Sequence, residues 1–244
     1  MNTSTPPRTA IVFGGSRGIG AAIAQRLARE GANVAFTYAA SADRAREVAA
    51  AIGQHGVAAL AIQADSPDPA ALRDAVGQAV ARFGRIDTVV IAAGILELAD
   101  VTAFSLEQLD RMLDVNVRGV YLAIQAAVPH MDTGGRIITI GSNTAERSNH
   151  PGSSVYTLTK GAVASMVKAL AADLAPRGIT INNIQPGPVE TDMTASMLDM
   201  VRELVPLKRV GQPSEIASLA AWLAGEESGY MTGASLTIDG GMSL

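Results

Sequence analysis

The chain has 244 residues, of which 48% are hydrophobic and 17% are charged, and this balance excludes an intrinsically disordered protein. Its 19 basic and 23 acidic residues give a formal charge of −4, so we expect no broad cationic surface for a nucleic acid polymer. There is no cysteine, which excludes disulfides, thiolate metal sites and a cysteine nucleophile, and which suits the bacterial cytoplasm.

The N-terminal segment MNTSTPPR is short and polar, and no stretch approaches ~18 uninterrupted apolar residues. Neither a secretory signal nor a membrane span is therefore expected. His55, His130 and His150 lie far apart in sequence and lack the spacing of a metal site, so no metal is expected. No segment resembles a linker, and we expect a single domain over residues 1–244.

Short runs rich in Val, Ile, Ala and Thr alternate with longer helical patterns along the chain. The predicted strands are Thr9–Gly14, Asn33–Tyr38, Ala58–Gln63, Thr88–Ala92, Arg136–Gly141, Thr180–Gln185 and Ser235–Asp239. The predicted helices are Gly18–Glu30, Ala42–Gly53, Asp68–Phe83, Leu106–His130, Val155–Arg177 and Ser214–Ala224. Most strand runs are continuously apolar, which is typical of parallel strands covered on both faces by crossover helices. The pattern predicts an α/β fold of Rossmann type, with a doubly wound, seven-stranded, mostly parallel sheet and helices on both faces.

A glycine-rich turn joins the first predicted strand to the first helix in the pattern G-x-x-x-G-x-G. Without side chains, the backbone can turn sharply there and approach a pyrophosphate at the helix N-terminus. We therefore expect this loop to bind a dinucleotide, and a tight βα turn without a ligand is the alternative. The expected cofactor-binding residues of the loop are Gly14, Ser16, Arg17, Gly18, Ile19 and Gly20.

The end of the second predicted strand should select between NAD and NADP, because an acidic residue there would bind the ribose hydroxyls and repel a 2′-phosphate. The residues at this point are Thr37, Tyr38 and Ser41, none of which is acidic. Arg17 in the glycine loop and Arg44 just downstream supply cations that can pair with the phosphate. We predict NADPH as the cofactor, with Tyr38 and Ser41 among its contacts. The alternative is that both arginines are ordinary surface charges.

Three residues within IGSNTAERSNHPGSSVYTLTK suit the reduction of a carbonyl group: Ser142, Tyr156 and Lys160. In a helix that starts near Ser154, positions four apart share a face, so the phenol and the ammonium would lie side by side. The cation is expected to lower the pKa of the phenol from about 10 and so to allow proton exchange with a substrate oxygen. Ser142 would add a hydroxyl donor. A chance pair on a solvated helix face is the alternative.

With both motifs placed, the chain resembles the short-chain dehydrogenase/reductase family over essentially its whole length, and in particular members like the 3-oxoacyl-carrier-protein reductases. The matching segments are GGSRGIG, Asp65-Ser66, the AAG of Ala92–Gly94, VNVRG around Asn116, the IGS of Ser142, YTLTK and QPGPVETDM from Gln185.

The resemblance implies roles for residues that the spacing alone does not assign. Asn116 would complete a catalytic tetrad with Ser142, Tyr156 and Lys160, and its helix would hold a water that connects the lysine to solvent. Lys160 and Tyr156 would also contact the cofactor, with Lys160 on the nicotinamide ribose. The remaining cofactor contacts would be Asp65 and Ser66 at the adenine, Ala92 and Gly94 beside the ribose, and Pro186, Gly187, Val189 and Thr191 around the nicotinamide. The implied activity is hydride transfer to a small-molecule ketone or aldehyde, with Tyr156 as proton donor.

Some positions depart from the family pattern. Phe13 replaces the usual threonine before the glycine loop, and Ile91-Ala92-Ala93-Gly94 replaces the familiar N-N-A-G, so two polar side chains near the cofactor are missing. The segment PHMDTGG before Arg136 has few basic residues, and Ala172 replaces an arginine that is frequent in carrier-protein reductases. These differences argue against a carrier-protein substrate.

A further likeness links the chain to a bacterial subgroup that includes a cyclic-di-GMP-binding protein, through FTYAAS, ITINNIQPGPVETD, KRVGQP, WLAG and TGASLTIDG. This likeness implies a rival function, a cyclic-dinucleotide-binding signalling protein with weak or vestigial reductase activity. We favour the reductase because the catalytic set is complete.

Three segments are expected to determine the substrate: Ile95–Thr102, Asn143–Pro151 and Met193–Pro206. Flexible methionines of the third segment can line an adaptable pocket, namely Met193, Met197 and Met200. An amphipathic helix packed on the body of the protein is the alternative. Asn149 and His150 are candidates for polar contacts, and exposure of His150 to water is the alternative for that residue.

Two long helical patterns, Leu106–His130 and Val155–Arg177, are unusually apolar for helices that cover one sheet face. In the family these helices form the main dimer interface of a tetramer. The resemblance therefore implies a homotetramer.

Overall fold

The structure is a computed structural model that describes residues 7–148 and 150–244. Asn149, a candidate for polar contacts with substrate, lies outside the described residues, as do the first six residues of the polar N-terminal segment. Within the described part, no helix combines the length and apolar character needed to cross a membrane.

A seven-stranded sheet forms the centre of the protein, with the strand order β3-β2-β1-β4-β5-β6-β7. The strands are β1 Thr9–Phe13, β2 Asn33–Tyr38, β3 Ala59–Gln63, β4 Thr88–Ile91, β5 Arg136–Ile140, β6 Thr180–Pro186 and β7 Ser235–Ile238. All of their pairings are parallel, which confirms the predicted fold class. The chain crosses between the two halves of the sheet at β1 and β4, and this switch opens a crevice beyond the carboxyl ends of these strands.

Eight α-helices cover the two faces of the sheet in the described part of the chain. They are α1 Gly18–Arg29, α2 Ala42–Gly53, α3 Pro69–Phe83, α4 Leu106–Leu113, α5 Gly119–Ala127, α6 Ser154–Leu174, α7 Leu198–Leu204 and α8 Pro213–Ala224. Buried side chains of α3, α5 and α6 form one core against the sheet, and those of α1, α2 and α8 form the other. Burial on both faces explains why the strand sequences are continuously apolar.

The predicted helix Leu106–His130 is not regular. A π-helical turn at Asp114–Arg118 joins α4 to α5, and a short 3₁₀ turn at Val128–His130 follows α5. A π turn is wider than an α turn and is frequent at functional sites, because it displaces one residue from the regular ladder. The residue at the centre of this turn is Asn116, which is buried.

The segment Met193–Pro206 contains a short helix, α7, preceded by a 3₁₀ turn at Ala195–Met197. Within α7 only Val201 is buried. Val205, which directly follows α7, is also buried, so the segment packs on the body of the protein through Val201 and Val205.

Candidate functional site

The glycine loop lies where β1 ends and α1 begins, and it has no room for a side chain at Gly14 or Gly20. Gly14 has a φ of +79°, and a Cβ there would lie 2.7 Å from the backbone N and Cα of Ala93. A Cβ at Gly20 would lie 2.1 Å from the carbonyl oxygen of Gly14. The loop thus exposes backbone N–H groups at a helix N-terminus, which is the arrangement that binds a pyrophosphate. These residues fit a dinucleotide cofactor.

Thr37 holds this loop in place from the neighbouring strand β2. The N–H of Gly14 donates to Thr37 Oγ1 at 3.0 Å, and the N–H of Gly15 donates to the Thr37 carbonyl at 3.0 Å. The sequence marked Thr37 only as a non-acidic residue near the ribose. Thr37 is buried at the carboxyl end of a strand next to the loop, and this position indicates that it holds the loop in place.

The remaining residues of the expected cofactor site also lie at or just beyond the carboxyl ends of strands. Tyr38 ends β2 and Ser41 follows it, Asp65 and Ser66 follow β3, Ala92 and Gly94 follow β4, and Pro186, Gly187, Val189 and Thr191 end or follow β6. Thr191 touches the glycine loop, because a Cβ at Gly18 would lie 3.3 Å from Thr191 Cγ2. The crevice between the two halves of the sheet is thus bordered by all four strand ends.

Lys160 is the central residue of the candidate catalytic group. It lies on α6 with 6% of its surface exposed, and its Nζ donates to the carbonyl oxygen of Ile140 at 3.0 Å. A Cβ at Gly94 would lie 3.6 Å from this Nζ, and the ring centroid of Tyr156 lies 5.6 Å from it. Burial disfavours the ammonium and lowers the pKa of Lys160 to about 8.

Asn116 connects the π turn to the loop after β4 and to α6. Its Oδ1 accepts from the N–H of Ile95 at 2.9 Å, and its Nδ2 donates to the Ile95 carbonyl at 2.9 Å. The same Nδ2 donates to Thr159 Oγ1 at 3.2 Å, and Thr159 donates to the Tyr156 carbonyl at 2.8 Å. Thr159 was not predicted from the sequence, because its position next to Lys160 does not indicate a hydrogen bond to Asn116.

Ser142 and Tyr156 complete the group. Ser142 is buried at the start of a 3₁₀ turn, and its Oγ accepts from the N–H and the hydroxyl of Thr144 at 3.2 and 3.0 Å. Burial raises the pKa of Tyr156 to about 12, and the Ser142 hydroxyl partly offsets that rise. The side chain as a whole keeps partial exposure, so the desolvation acts at the hydroxyl end.

The expectation that Lys160 lowers the pKa of Tyr156 is therefore wrong for this structure. The ammonium lies over the ring and donates to Ile140, while desolvation dominates at the phenol. The two groups nevertheless lie on one face of α6, as the spacing of four predicted.

The two cations expected near a 2′-phosphate are both exposed. Arg44, in the first turn of α2, forms a salt bridge with Asp192, which lies in the loop after β6. Arg44, and more weakly Arg17, hold the pKa of the Asp192 carboxyl below its ordinary value. The sequence gave no indication of Asp192 at this place, since 148 positions separate it from Arg44.

The three segments expected to determine the substrate differ in exposure. The N–H of Ala99, in Ile95–Thr102, donates to the carbonyl of Gly152 at 3.1 Å, so this segment lies beside the loop that precedes α6. His150 is exposed, with its Nδ1 2.8 Å from the Pro151 carbonyl, which agrees with the water-exposed alternative. Met193 and Met200 are about half-exposed, whereas Met197 is partly buried.

Comparison with known proteins places this geometry among oxidoreductases. The family described as "Enoyl-(Acyl carrier protein) reductase" matches residues 14–243. A short-chain dehydrogenase/reductase from Serratia marcescens BCRC 10948 is 53% identical, with a TM-score of 0.95 over 98% of this chain and 99% of its own. A short-chain dehydrogenase from Burkholderia cenocepacia J2315, solved in complex with NADP, is 44% identical, with a TM-score of 0.95 over 98% and 99% of the two chains.

A curated relative carries a different name. The "Cyclic-di-GMP-binding biofilm dispersal mediator protein" of Escherichia coli strain K12 is 43% identical over 236 residues, which is 96% of each chain. The similarity expected from the motifs is thus confirmed both to the short-chain dehydrogenase/reductase family and to a cyclic-di-GMP-binding relative.

The buried ammonium of Lys160 predicts an unusual dependence of stability on pH. Between pH 8 and 10.5 the folded protein loses this proton while the unfolded chain keeps it, so stability rises with pH. Relative to Lys160→Met, the wild type should gain up to about 3 kcal/mol over that window. Urea unfolding of the cofactor-free proteins from pH 7 to pH 10.5 measures the gain.

The matched control is Lys168→Met, which removes an exposed lysine two turns further along α6. This variant should follow the wild-type pH profile. Parallel profiles for the wild type and Lys160→Met would contradict the assignment of a buried charge.

Proposed function

Because the chain belongs to the short-chain dehydrogenase/reductase family, we propose that it is an NADPH-dependent carbonyl reductase that converts a ketone or aldehyde to an alcohol. The observation that carries the proposal is the meeting of Asn116, Ser142, Tyr156 and Lys160 beside Gly94, in the crevice that the glycine loop borders. The whole chain would act as one dinucleotide-binding domain.

The cofactor would lie along the carboxyl ends of the strands. When bound, NADPH supplies the hydride. The N–H groups of the glycine loop would bind its pyrophosphate, and Arg17 and Arg44 would face the 2′-phosphate. Asp65 and Ser66 would border the adenine, and Lys160 the nicotinamide ribose. The residues proposed around the nicotinamide end are Gly94, Pro186, Gly187, Val189 and Thr191.

Tyr156 is the proposed proton donor. With a pKa raised to about 12, its phenol keeps its proton throughout the neutral range and is ready to donate it. The Ser142 hydroxyl would hold the carbonyl oxygen, which gains negative charge during the reaction. Lys160, with a pKa of about 8, remains mostly charged at pH 7, so an ammonium lies 5.6 Å from the centroid of the Tyr156 ring.

Asn116 is a proposed positioning residue. Its amide fixes Ile95, directly after Gly94, and it reaches the backbone of Tyr156 through Thr159. These bonds would keep the β4 loop and the catalytic face of α6 at a constant separation.

The proposed substrate is a small-molecule carbonyl compound rather than a carrier protein. Ala172 is exposed on α6 and provides no cation for an acidic partner. Two of the segments proposed to determine the substrate instead carry exposed apolar side chains, Leu98, Val101, Met193 and Met200. Such a surface favours an apolar ketone.

Replacement of Tyr156 by Phe removes the donor proton and keeps the ring that packs against Lys160. We expect kcat for the reduction of the best ketone in a panel to fall by roughly 10²- to 10⁴-fold, the usual contribution of a general acid. Oxidation of NADPH, followed at 340 nm, measures the loss. Tyr230→Phe is the control, because Tyr230 is fully exposed; turnover by Tyr156→Phe at the control rate would exclude the proposed role.

The second candidate function is cyclic-di-GMP binding, which the name of the Escherichia coli relative favours. Titration calorimetry with cyclic-di-GMP, performed beside the ketone assay, separates the two. Tight binding together with no turnover of any carbonyl compound would replace the reductase by a signalling protein. Turnover without binding supports the reductase.

Cofactor preference follows from the absence of an acidic residue at the end of β2. We expect kcat/KM with NADPH to exceed that with NADH by roughly 10- to 100-fold, because hydrogen bonds to charged groups contribute about 1.5–3 kcal/mol each. Arg17→Ala should reduce this ratio, whereas Arg46→Ala, on the outer side of α2, should leave it unchanged. A preference of the wild type for NADH would contradict the prediction.

We propose a homotetramer as the assembled form. Uncharged side chains of α4, α5 and α6 remain exposed in the isolated chain, namely Leu106, Tyr121 and Leu158. Burial of such a surface against a second copy would remove it from water. Light scattering should give four times the 25.1 kDa mass of the chain, and Leu158→Glu should lower that mass; a monomer mass for the wild type would refute the proposal.

A further inference from the structure

Asp192 lies between the two cations that would receive the 2′-phosphate of NADPH. Its carboxylate forms a salt bridge with Arg44 on α2, and Arg17 of the glycine loop acts on it as well. The side chains of Arg44 and Asp192 are 48% and 59% exposed, so an incoming anion can reach both partners. The Asp192 carboxylate thus places a negative charge of the protein itself at the proposed position of the 2′-phosphate.

The loop that carries Asp192 crosses the entrance to this position. Thr191 lies against Gly18, where an added Cβ would be 3.3 Å from Thr191 Cγ2. The N–H of Thr191 donates to Thr194 Oγ1 at 3.2 Å, and Thr194 in turn bonds back to the carbonyl of Val189. The loop therefore forms a compact turn that touches α1 through Thr191 and α2 through Asp192.

We propose that Asp192 is a specificity-determining residue: in the cofactor-free protein it holds Arg44 in place of the 2′-phosphate, and the phosphate must displace it. The proposal rests on the proposed use of NADPH. A 2′-phosphate carries more negative charge than a carboxylate and has three acceptor oxygens, so it competes well for the arginines. NADH has only hydroxyls at this position and leaves the salt bridge intact.

The test compares Asp192→Asn with the wild type by titration calorimetry of the cofactor-free proteins, using 2′,5′-ADP and 5′-AMP as probes. Asp192→Asn should bind 2′,5′-ADP about two- to fivefold more tightly than the wild type, a range that matches an exposed ion pair. Binding of 5′-AMP should change little. Asp43→Asn is the matched control, because Asp43 pairs with Arg46 on the helix that carries Arg44 and is also exposed to solvent, and it should bind both probes like the wild type.

Equal 2′,5′-ADP affinity in the wild type and Asp192→Asn, or weaker binding of both probes by the variant, would overturn the role of Asp192. If neither protein prefers 2′,5′-ADP to 5′-AMP, the proposed use of NADPH fails as well.

Discussion

The burial of the Lys160 ammonium is the constraint on which the site depends. A buried charge is unfavourable unless polar groups surround it, and among the salt bridges of the described residues none includes Lys160. The Lys160 ammonium instead contacts the carbonyl oxygen of Ile140 and the face of the Tyr156 ring. Because these partners belong to the end of β5 and to α6, the lysine fixes how the strand end and the helix meet. The lowered pKa of Lys160 reflects the free energy that is needed to bury its charge.

The site also requires space that side chains do not fill, and Gly14 and Gly94 provide it for different reasons. Gly14 has a left-handed backbone, so any side chain there would be strained even if its neighbours moved. Gly94 has no such backbone, but a Cβ would approach Asn116 Oδ1 at 3.4 Å and Lys160 Nζ at 3.6 Å. A side chain at Gly94 would therefore occupy the space beside the catalytic group. The same crevice can thus admit a flat ring and a ribose.

The sequence predicted the fold closely because both sheet faces are buried and the strands are marked by continuous apolar runs. Four predicted strands extend one residue too far, at Gly14, Ala92, Gly141 and Asp239, which leave the sheet to form the site. Local spacing also placed Tyr156 and Lys160 on one helix face. The π turn at Asp114–Arg118 was not predictable from local spacing, and Asn116 at its centre bonds to the backbone of Ile95, 21 positions away.

Long-range and solvation effects account for the other differences. The salt bridge between Arg44 and Asp192 joins segments far apart in sequence, and no local pattern indicates it. The pKa of Tyr156 depends on how deeply the phenol is buried, which the spacing to Lys160 does not determine. In the proposed role, the raised pKa favours one direction of reaction near neutral pH. Reduction uses the protonated phenol, which is the resting form, whereas oxidation of an alcohol first requires the phenolate. The same burial that keeps Tyr156 protonated therefore keeps its phenolate scarce until the pH rises well above neutrality.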